Sequence, residues 1–179
     1  MPKIGLFYGS NTGNTEAISY EMKAAFDDVM PDAVQVHNIG ASEPDTIMQY
    51  EYLIFGIPTW NTGELQDDWD AFLPKLKKMN LKGKKLAIFG LGDQNGYGFN
   101  FLDAVGILAD VSMEVGAELW GLWPDKNYQY EESLATIKDT ELGMGNHFLG
   151  LGIDQEGQDE KTSDRIIAWV NEVKSEFDL

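Results

Sequence analysis

A polar segment that follows the first apolar run has the residue types of a phosphate-binding loop. Residues 4–8 are largely apolar, and Gly9 begins a stretch of glycines, hydroxyls and amides that leads into a helical pattern. The candidate binding residues are Ser10, Asn11, Thr12, Gly13, Asn14 and Thr15. Backbone N–H groups at a helix N-terminus bind anions, because the helix carries a partial positive charge there, and hydroxyl groups add further donors.

The loop lacks the lysine of a nucleoside-triphosphate site. Such sites read G-x-x-x-x-G-K-[ST], whereas here three residues separate Gly9 from Gly13, and Asn14 stands where lysine is expected. We therefore expect one terminal phosphate to bind without magnesium. The alternative is that the glycines only turn the chain while Asn14 or Thr15 caps the next helix, as these residue types commonly do.

Two further polar loops carry an aromatic residue at the tip. The first contains Pro58, Thr59, Trp60, Asn61, Thr62 and Gly63; the second includes Gly92, Asp93, Tyr97, Asn100, Phe101 and Asp103. Glycine or proline lies near Trp60 and Tyr97, which holds each ring outside the preceding strand. Two rings that face each other across a cleft suit a flat conjugated ligand. For either ring alone, packing in the core remains an alternative.

Alternating strand and helix patterns would bring the three loops together. Short apolar segments predict strands at residues 3–8, 33–38, 52–57, 85–90 and 118–123, and amphipathic helical patterns connect them. This alternation predicts an α/β fold of three layers, with a parallel sheet between two layers of helices. We expect a doubly wound, five-stranded sheet with strand order 2-1-3-4-5, whose ligands bind beyond the carboxyl ends of the strands.

The composition limits the chemistry that the side chains can perform. A chain of 179 residues fits a single domain, residues 1–179. Because the chain has no cysteine, redox activity would need a bound cofactor. His37 and His147 are the only imidazoles, and no Ser or Cys motif adjoins either in sequence. We therefore predict no catalytic residue and no metal site.

The net charge and the amino terminus indicate the kind of partner and the compartment. Thirty acidic and thirteen basic residues give a net charge of −17, which repels nucleic acid and anionic lipid and favours cationic partners. The first strand pattern begins at residue 3, with no signal peptide and no membrane-spanning run. We expect a cytoplasmic location, or the plastid stroma if a transit segment was removed.

The three loops together resemble the flavin-binding motifs of flavodoxins, most closely the long-chain type of cyanobacteria and algae. The matching segments are residues 9–15, 58–61 and 90–97, and the similarity runs over nearly the whole chain. The long-chain type is indicated because Asp125 to His147 interrupts the fifth strand, which Phe148 to Leu151 then resumes. The inserted segment, longer than is usual for the family, contains Glu131, Glu132, Asp139, Glu141 and Met144.

The resemblance implies flavin mononucleotide (FMN) as a non-covalent cofactor. Ser10 to Thr15 would hold its phosphate, and Trp60 and Tyr97 would cover the two faces of the flavin. Thr59 would approach the ribityl chain, and Asp93 would meet the pyrimidine edge. This flavodoxin-like fold would thus serve as an FMN-binding domain for electron transport, not as an enzyme.

The resemblance also implies which redox couple the protein uses. Asn61 matches the position whose backbone carbonyl turns toward flavin N5 on reduction and stabilises the neutral semiquinone. A water-excluding aromatic sandwich in an acidic chain disfavours the anionic hydroquinone, which makes the semiquinone–hydroquinone couple a low-potential one. Thr62 differs from the family pattern, in which this position is often apolar. We therefore do not use the resemblance to assign the effect of any single residue on the redox potential.

The expected partners are basic redox proteins that dock near the flavin. The resemblance suggests ferredoxin–NADP reductase, photosystem I subunits or other flavodoxin-dependent reductases, with the chain acting as a monomer. Candidate docking residues are Glu64, Asp67, Asp68 and Asp70, although the same helix also needs a solvated outer face.

Two other functions are compatible with this type of fold. An FMN-dependent NAD(P)H:quinone reductase needs a second pocket beside the flavin, but Gly90 and Gly92 lack a third glycine at the spacing of a dinucleotide motif. A receiver-like module without flavin would carry paired acids at the end of the first strand, where Gly9 and Ser10 stand instead.

Overall fold

The centre of the molecule is a mainly parallel sheet, as the alternation of apolar runs predicts. The computed structural model describes residues 2–138, 143 and 145–179. The strands are β1 (Ile4–Tyr8), β2 (Val34–Asn38), β3 (Tyr52–Trp60), β4 (Glu64–Leu65), β5 (Lys85–Leu91), β6 (Glu118–Trp120), β7 (Trp123–Pro124), β8 (Thr136–Ile137), β9 (His147–Phe148) and β10 (Leu151–Ile153). In the main sheet β10 and β6 both pair with β5, which is followed by β3, β1 and β2, and β4 pairs antiparallel with β3. β5 occupies the fourth strand position, and β6 and β10 together occupy the fifth. The predicted order 2-1-3-4-5 is therefore confirmed.

Helices cover both faces of the sheet because successive strand residues point to opposite sides. The helices are α1 (Asn14–Val29), α2 (Pro44–Met48), α3 (Asp67–Leu76), α4 (Asp103–Glu114) and α5 (Thr162–Glu176). Short 3₁₀ turns occupy Ile39–Ala41, Gly98–Asn100 and Asp159–Lys161. On β1, Leu6 packs in the core layer with α1 and α5, and Phe7 packs in the layer with α3 and α4. Two hydrophobic layers therefore hold the sheet between them.

The fifth strand position differs in its bounds from the sequence expectation. The first half ends at Trp120 because Gly121 adopts φ 71° and Trp123 leaves the main sheet for β7. The second half begins at Leu151, whereas Phe148 pairs with Trp123 and with Thr136 of the inserted segment. Pairing of β6 and β10 with successive parts of β5 agrees with the predicted interruption of the fifth strand.

The inserted segment forms a small sheet with its flanking residues, and its residues 128–134 form a strap near the loop that carries Tyr97. β9 pairs antiparallel with β7 and with β8. The backbone N–H groups of Glu131 and Glu132 both donate to Gly98 O, at 2.9 and 3.0 Å. The strap is therefore attached to the loop that carries Tyr97. Asp139, Glu141 and Met144, named above in this segment, lie outside the described residues.

The described part of the chain holds neither a membrane-spanning helix nor a metal-binding cluster. Within residues 2–138, 143 and 145–179, no helix is both long and apolar enough to cross a membrane. In the same ranges, no cluster of three or more His, Asp or Glu side chains could hold a metal ion.

Candidate functional site

The three predicted loops meet in one pocket at the carboxyl edge of the sheet. Its volume is about 280 Å³, near the lower end of the range for small-molecule sites. The lining residues are Ser10, Asn11, Thr12, Asn14, Thr15, Pro58, Thr59, Trp60, Asn61, Leu91, Gly92, Asp93, Tyr97, Asn100, Phe101, Gln155 and Glu156. β1, β3 and β5 end here, so the parallel order of the sheet brings these loops together.

The loop after β1 presents an open helix N-terminus to the pocket. Gly13 precedes α1 with φ 89°, a conformation that favours glycine, and its N–H donates to Ser10 Oγ at 3.0 Å. Within the described residues, no side chain caps α1. The capping role that sequence left open for Asn14 or Thr15 is therefore not observed, and the first N–H groups of α1 are available to an anion.

A buried glutamine supports this loop from behind. Gln66 is fully buried, and its Nε2 donates to Asn11 Oδ1 at 2.8 Å and to Asp68 Oδ2 at 3.0 Å. Its Oε1 accepts from the backbone N–H of Trp69 at 3.2 Å and so caps α3. A Cβ on Gly9 would lie 2.0 Å from that Oε1. Glycine is therefore needed at residue 9 for close approach and not only for a turn.

Trp60 lies at the end of β3, at the start of a tight turn. Asn61 and Gly63 adopt φ 48° and 93°, and Asn61 Nδ2 donates to Glu64 Oε2 at 2.9 Å. The Trp60 ring is half-buried, and its Nε1 is shielded from solvent with no hydrogen-bond partner among the described residues. A buried N–H without an acceptor is costly, so a ligand that supplied one would be stabilised here.

The Tyr97 loop is held in shape by its own carboxylate. Asp93 Oδ1 accepts from the N–H groups of Asn95 and Gly96, at 3.0 and 2.8 Å. Tyr97 at the tip is 50% exposed, which leaves its ring accessible to a partner on the pocket side. Thr59 and Phe101 also line the pocket, and Thr59 Oγ1 accepts from Ala104 N at 3.1 Å. The structure thus brings both aromatic tips to one pocket, as predicted.

Three of the predicted binding residues line a second, adjoining cavity instead. Thr62, Gly63 and Asp103 face a space of about 940 Å³ beneath the strap. Asp103 Oδ1 accepts from Leu134 N at 2.8 Å, and its Oδ2 accepts from Asn100 Nδ2 at 3.0 Å. In this structure the carboxylate therefore joins the inserted segment to α4. Gly13 is the remaining predicted residue outside the pocket lining, and it shapes the loop between Thr12 and Asn14.

Sequence reasoning missed three residues that line the pocket: Leu91, Gln155 and Glu156. Gln155 and Glu156 follow β10, whose end at Ile153 lies beyond the predicted stretch from Phe148 to Leu151. Extending that strand by two residues would have placed its following loop at the same carboxyl edge. The alternation of small and apolar residues from Gly150 to Ile153 was the available signal.

The pocket carries no positive side chain among its described lining residues. Among its lining residues, all within the described part of the chain, the charged ones are Asp93 and Glu156, both acidic. Burial and then the nearby Glu16 raise the pKa of Tyr8, at the end of β1, to about 12. An anion here would be held by neutral N–H and O–H donors and the helix N-terminus alone.

Comparison with known proteins agrees with this architecture. The sequence matches the flavodoxin family model over residues 6–169. It is 42% identical to the flavodoxin of Synechococcus elongatus over 100% of both chains, and 40% identical to flavodoxin 1 of Salmonella typhimurium over 100% of this chain and 97% of that one. The structure of Fusobacterium nucleatum flavodoxin bound to flavin mononucleotide superposes with a TM-score of 0.87 at 31% identity, covering 98% of this chain and 99% of that one. With full-length relatives at this level of identity, the chain belongs to the flavodoxin family.

Proposed function

We propose that this protein is a low-potential, one-electron carrier that uses non-covalently bound FMN, and that residues 1–179 act as one FMN-binding domain. The observation that carries the proposal is the uncapped N-terminus of α1, which opens into the same pocket as Trp60 and Tyr97. The helix end suits a phosphate, and the two rings suit a flat isoalloxazine. FMN combines both features in one molecule.

The residues of the pocket fit distinct parts of the cofactor. The phosphate would be held by Ser10, Asn11, Thr12, Gly13, Asn14 and Thr15; the ring system would be bounded by Pro58, Thr59, Trp60, Asn61, Gly92, Asp93, Tyr97, Asn100 and Phe101. Thr62, Gly63 and Asp103 would act indirectly, by shaping the turn and the adjoining cavity. Trp60 Nε1 is a buried donor of the pocket that has no acceptor among the described residues. When bound, FMN supplies the one-electron chemistry that the side chains lack.

The charge of the pocket favours a low potential for the second electron. Full reduction adds negative charge to the flavin, and the lining contributes two carboxylates, Asp93 and Glu156, with neutral donors around the phosphate. The aromatic rings limit access of water, which makes the added charge more costly. We therefore propose the semiquinone–hydroquinone couple as the working couple.

The proposal is tested by adding FMN to the purified protein after its cofactor has been removed. We expect flavin fluorescence to be quenched with an end point of one FMN per chain. Riboflavin, which lacks the phosphate, should bind much more weakly because it does not engage α1. A protein that leaves FMN fluorescence unchanged would refute the assignment.

The proposed partners are basic redox proteins, including ferredoxin–NADP reductase, photosystem I subunits and other flavodoxin-dependent reductases, with a cytoplasmic carrier acting as a monomer. Of the candidate docking acids, Asp67 and Asp68 accept hydrogen bonds from Asn11 and Gln66, and Glu64 accepts from Asn61. Asp70 is exposed, and in the described residues its carboxylate makes no hydrogen bond or ion pair. Asp70 is therefore the acid whose charge can be removed without disturbing the pocket.

Replacement of Asp70 tests electrostatic docking. With basic cytochrome c as the electron acceptor, we expect Asp70→Asn to lower the rate at low salt by about twofold and to flatten its dependence on ionic strength. Glu114→Gln, at the far end of α4, removes the same charge and should have a smaller effect. Equal effects of the two variants would show that only net charge matters and would contradict docking near α3.

The enzymatic alternative on the same fold remains distinguishable by assay. The second cavity adjoins the pocket at Asn100, and it offers a space beside the pocket for a quinone or nicotinamide. The flavodoxin family is one of electron carriers, so we expect no direct oxidation of NADPH by the isolated protein. Turnover of NADPH with a quinone would support the enzymatic alternative instead.

A further inference from the structure

A buried carboxylate behind the pocket joins separate segments of the chain. Asp154 is fully buried at the end of β10. Its Oδ1 accepts from the N–H groups of Glu156 and Gly157, at 3.1 and 2.9 Å. Its Oδ2 accepts from Gln94, from Nε2 at 2.6 Å and from the backbone N–H at 3.3 Å. All four contacts are N–H donors, so the carboxylate is satisfied only while these segments stay in place.

The segments that Asp154 holds include two of the loops that line the flavin pocket. Glu156 and its neighbour Gln155 line the pocket from the loop after β10. Gln94 belongs to the loop that carries Asp93 and Tyr97, and it is 3% exposed. Asp154 itself is not a pocket-lining residue. Its contacts therefore connect the two loops from a position outside the pocket lining.

The same glutamine extends the connection to the inserted segment. Gln94 Oε1 accepts from the backbone N–H of Gln129 at 2.5 Å. The preceding residue of the strap, Tyr128, donates from its hydroxyl to Gly152 O on β10 at 2.6 Å. One amide side chain thus contacts the end of β10 through Nε2 and the insertion through Oε1.

We propose that Asp154 and Gln94 form a positioning pair that sets the Tyr97 loop against FMN and couples the cofactor site to the inserted segment. The inference rests on the proposed FMN function. Binding of a flat ring between Trp60 and Tyr97 requires the Tyr97 loop to be held at a fixed distance, because small displacements weaken stacking contacts. A fixed buried pair provides that constraint from behind the loop.

The pair can be broken and rebuilt by exchanging its polar groups. In Asp154→Asn, the remaining oxygen can still accept from Glu156 and Gly157, but the new amide nitrogen faces the Nε2 donor of Gln94. In Gln94→Glu, two carboxylates face each other. When both substitutions are combined, the amide introduced at residue 154 donates to the carboxylate introduced at residue 94, whose second oxygen accepts from Gln129 N. The double variant therefore restores the side-chain connections and the original net charge, and it gives up only the 3.3 Å contact from the backbone N–H of residue 94.

The test measures FMN affinity, the visible circular dichroism of bound FMN and the midpoint potentials for all four members of this cycle. We expect each single variant to bind FMN about tenfold more weakly, the loss typical of one hydrogen bond to a charged group, and to change the dichroism of the bound flavin. The double variant should recover most of the FMN affinity and most of the original dichroism. Amide exchange of Gln129 should rise in Asp154→Asn and fall again in the double variant. Asp159→Asn, at an exposed acid in the following 3₁₀ turn, is the control for charge removal and should leave affinity and dichroism unchanged.

Each outcome decides the inference. Single variants with unchanged FMN affinity and dichroism would overturn the positioning role, while one FMN per chain in the parent protein would leave the proposed function intact. A double variant no better than the worse single variant would also overturn the pair. A purely structural role would lower the stability of the protein without altering the dichroism or potentials of FMN that remains bound, and that result would likewise contradict the inference.

Discussion

Replacement of Gly9 with alanine should both destabilise the fold and weaken FMN binding. The added Cβ would lie 2.0 Å from Gln66 Oε1 and 2.8 Å from Trp69 Cδ1, two buried side chains. Relief of this collision must move Gln66, which caps α3 and holds Asn11 of the phosphate loop. Overpacking together with loss of a helix cap should lower the free energy of unfolding by about 2–4 kcal/mol. We expect FMN affinity to fall by at least about tenfold, since the loop loses its support.

Urea unfolding of the cofactor-free protein and FMN titration measure the two effects separately. Gly83→Ala is the matched control, because in the described part of the chain no atom lies within 4 Å of its Cβ position, although φ is 84°. That variant should lose only about 1 kcal/mol from backbone strain and should keep normal FMN affinity. If Gly9→Ala behaves like Gly83→Ala in both assays, the inference that Gln66 supports the phosphate loop is wrong.

Replacement of Trp60 with phenylalanine should weaken FMN binding while sparing the stability of the cofactor-free protein. The indole Nε1 is buried and has no acceptor among the described residues, so removing it breaks no hydrogen bond in that state. If FMN supplies the acceptor, the variant loses one hydrogen bond and part of the stacking surface. Together these amount to about 1.5–3 kcal/mol, or roughly a 10- to 150-fold weaker complex.

The two states of the protein make this prediction specific. Urea unfolding should show no loss of stability in the cofactor-free variant, whereas FMN titration should show the weaker complex. Trp120→Phe, on β6 near Lys85 and away from the pocket, serves as the control and should leave FMN affinity unchanged. Normal FMN binding by Trp60→Phe would mean that Nε1 has no acceptor on the cofactor.

Features encoded in short segments were predictable from the sequence. The glycine-rich loop after β1 and the aromatic tips at Trp60 and Tyr97 follow from residue types within a few positions of one another. The strand order follows from the alternation of strand and helix patterns along the chain. Their meeting in one pocket follows from the topology of a parallel sheet. The absence of a side-chain cap on α1 depends on local geometry instead, and it became known only from the structure.

Contacts between distant segments were not predictable in the same way. Gly9 reads as a turn residue, and its closeness to Gln66 depends on how β1 and α3 pack. Asp103 reads as a polar residue of a ligand loop, yet its oxygens bind Asn100 and Leu134 N–H groups. The role of Asp154 could not be predicted from the sequence, because its partner Gln94 lies 60 residues away and approaches it only in the folded chain.

The most direct test of FMN electron transfer by this protein is anaerobic reduction of the FMN complex in small steps, followed by visible spectra and electrode potential. We expect one FMN per chain and two separate one-electron steps, with a blue intermediate form and a second step at markedly lower potential than the first. The reason is that the pocket holds two carboxylates and, among its described lining residues, no positive side chain to balance the fully reduced flavin. A protein that takes up no FMN, or whose bound FMN accepts two electrons in a single step without the intermediate, would contradict the proposed one-electron carrier function.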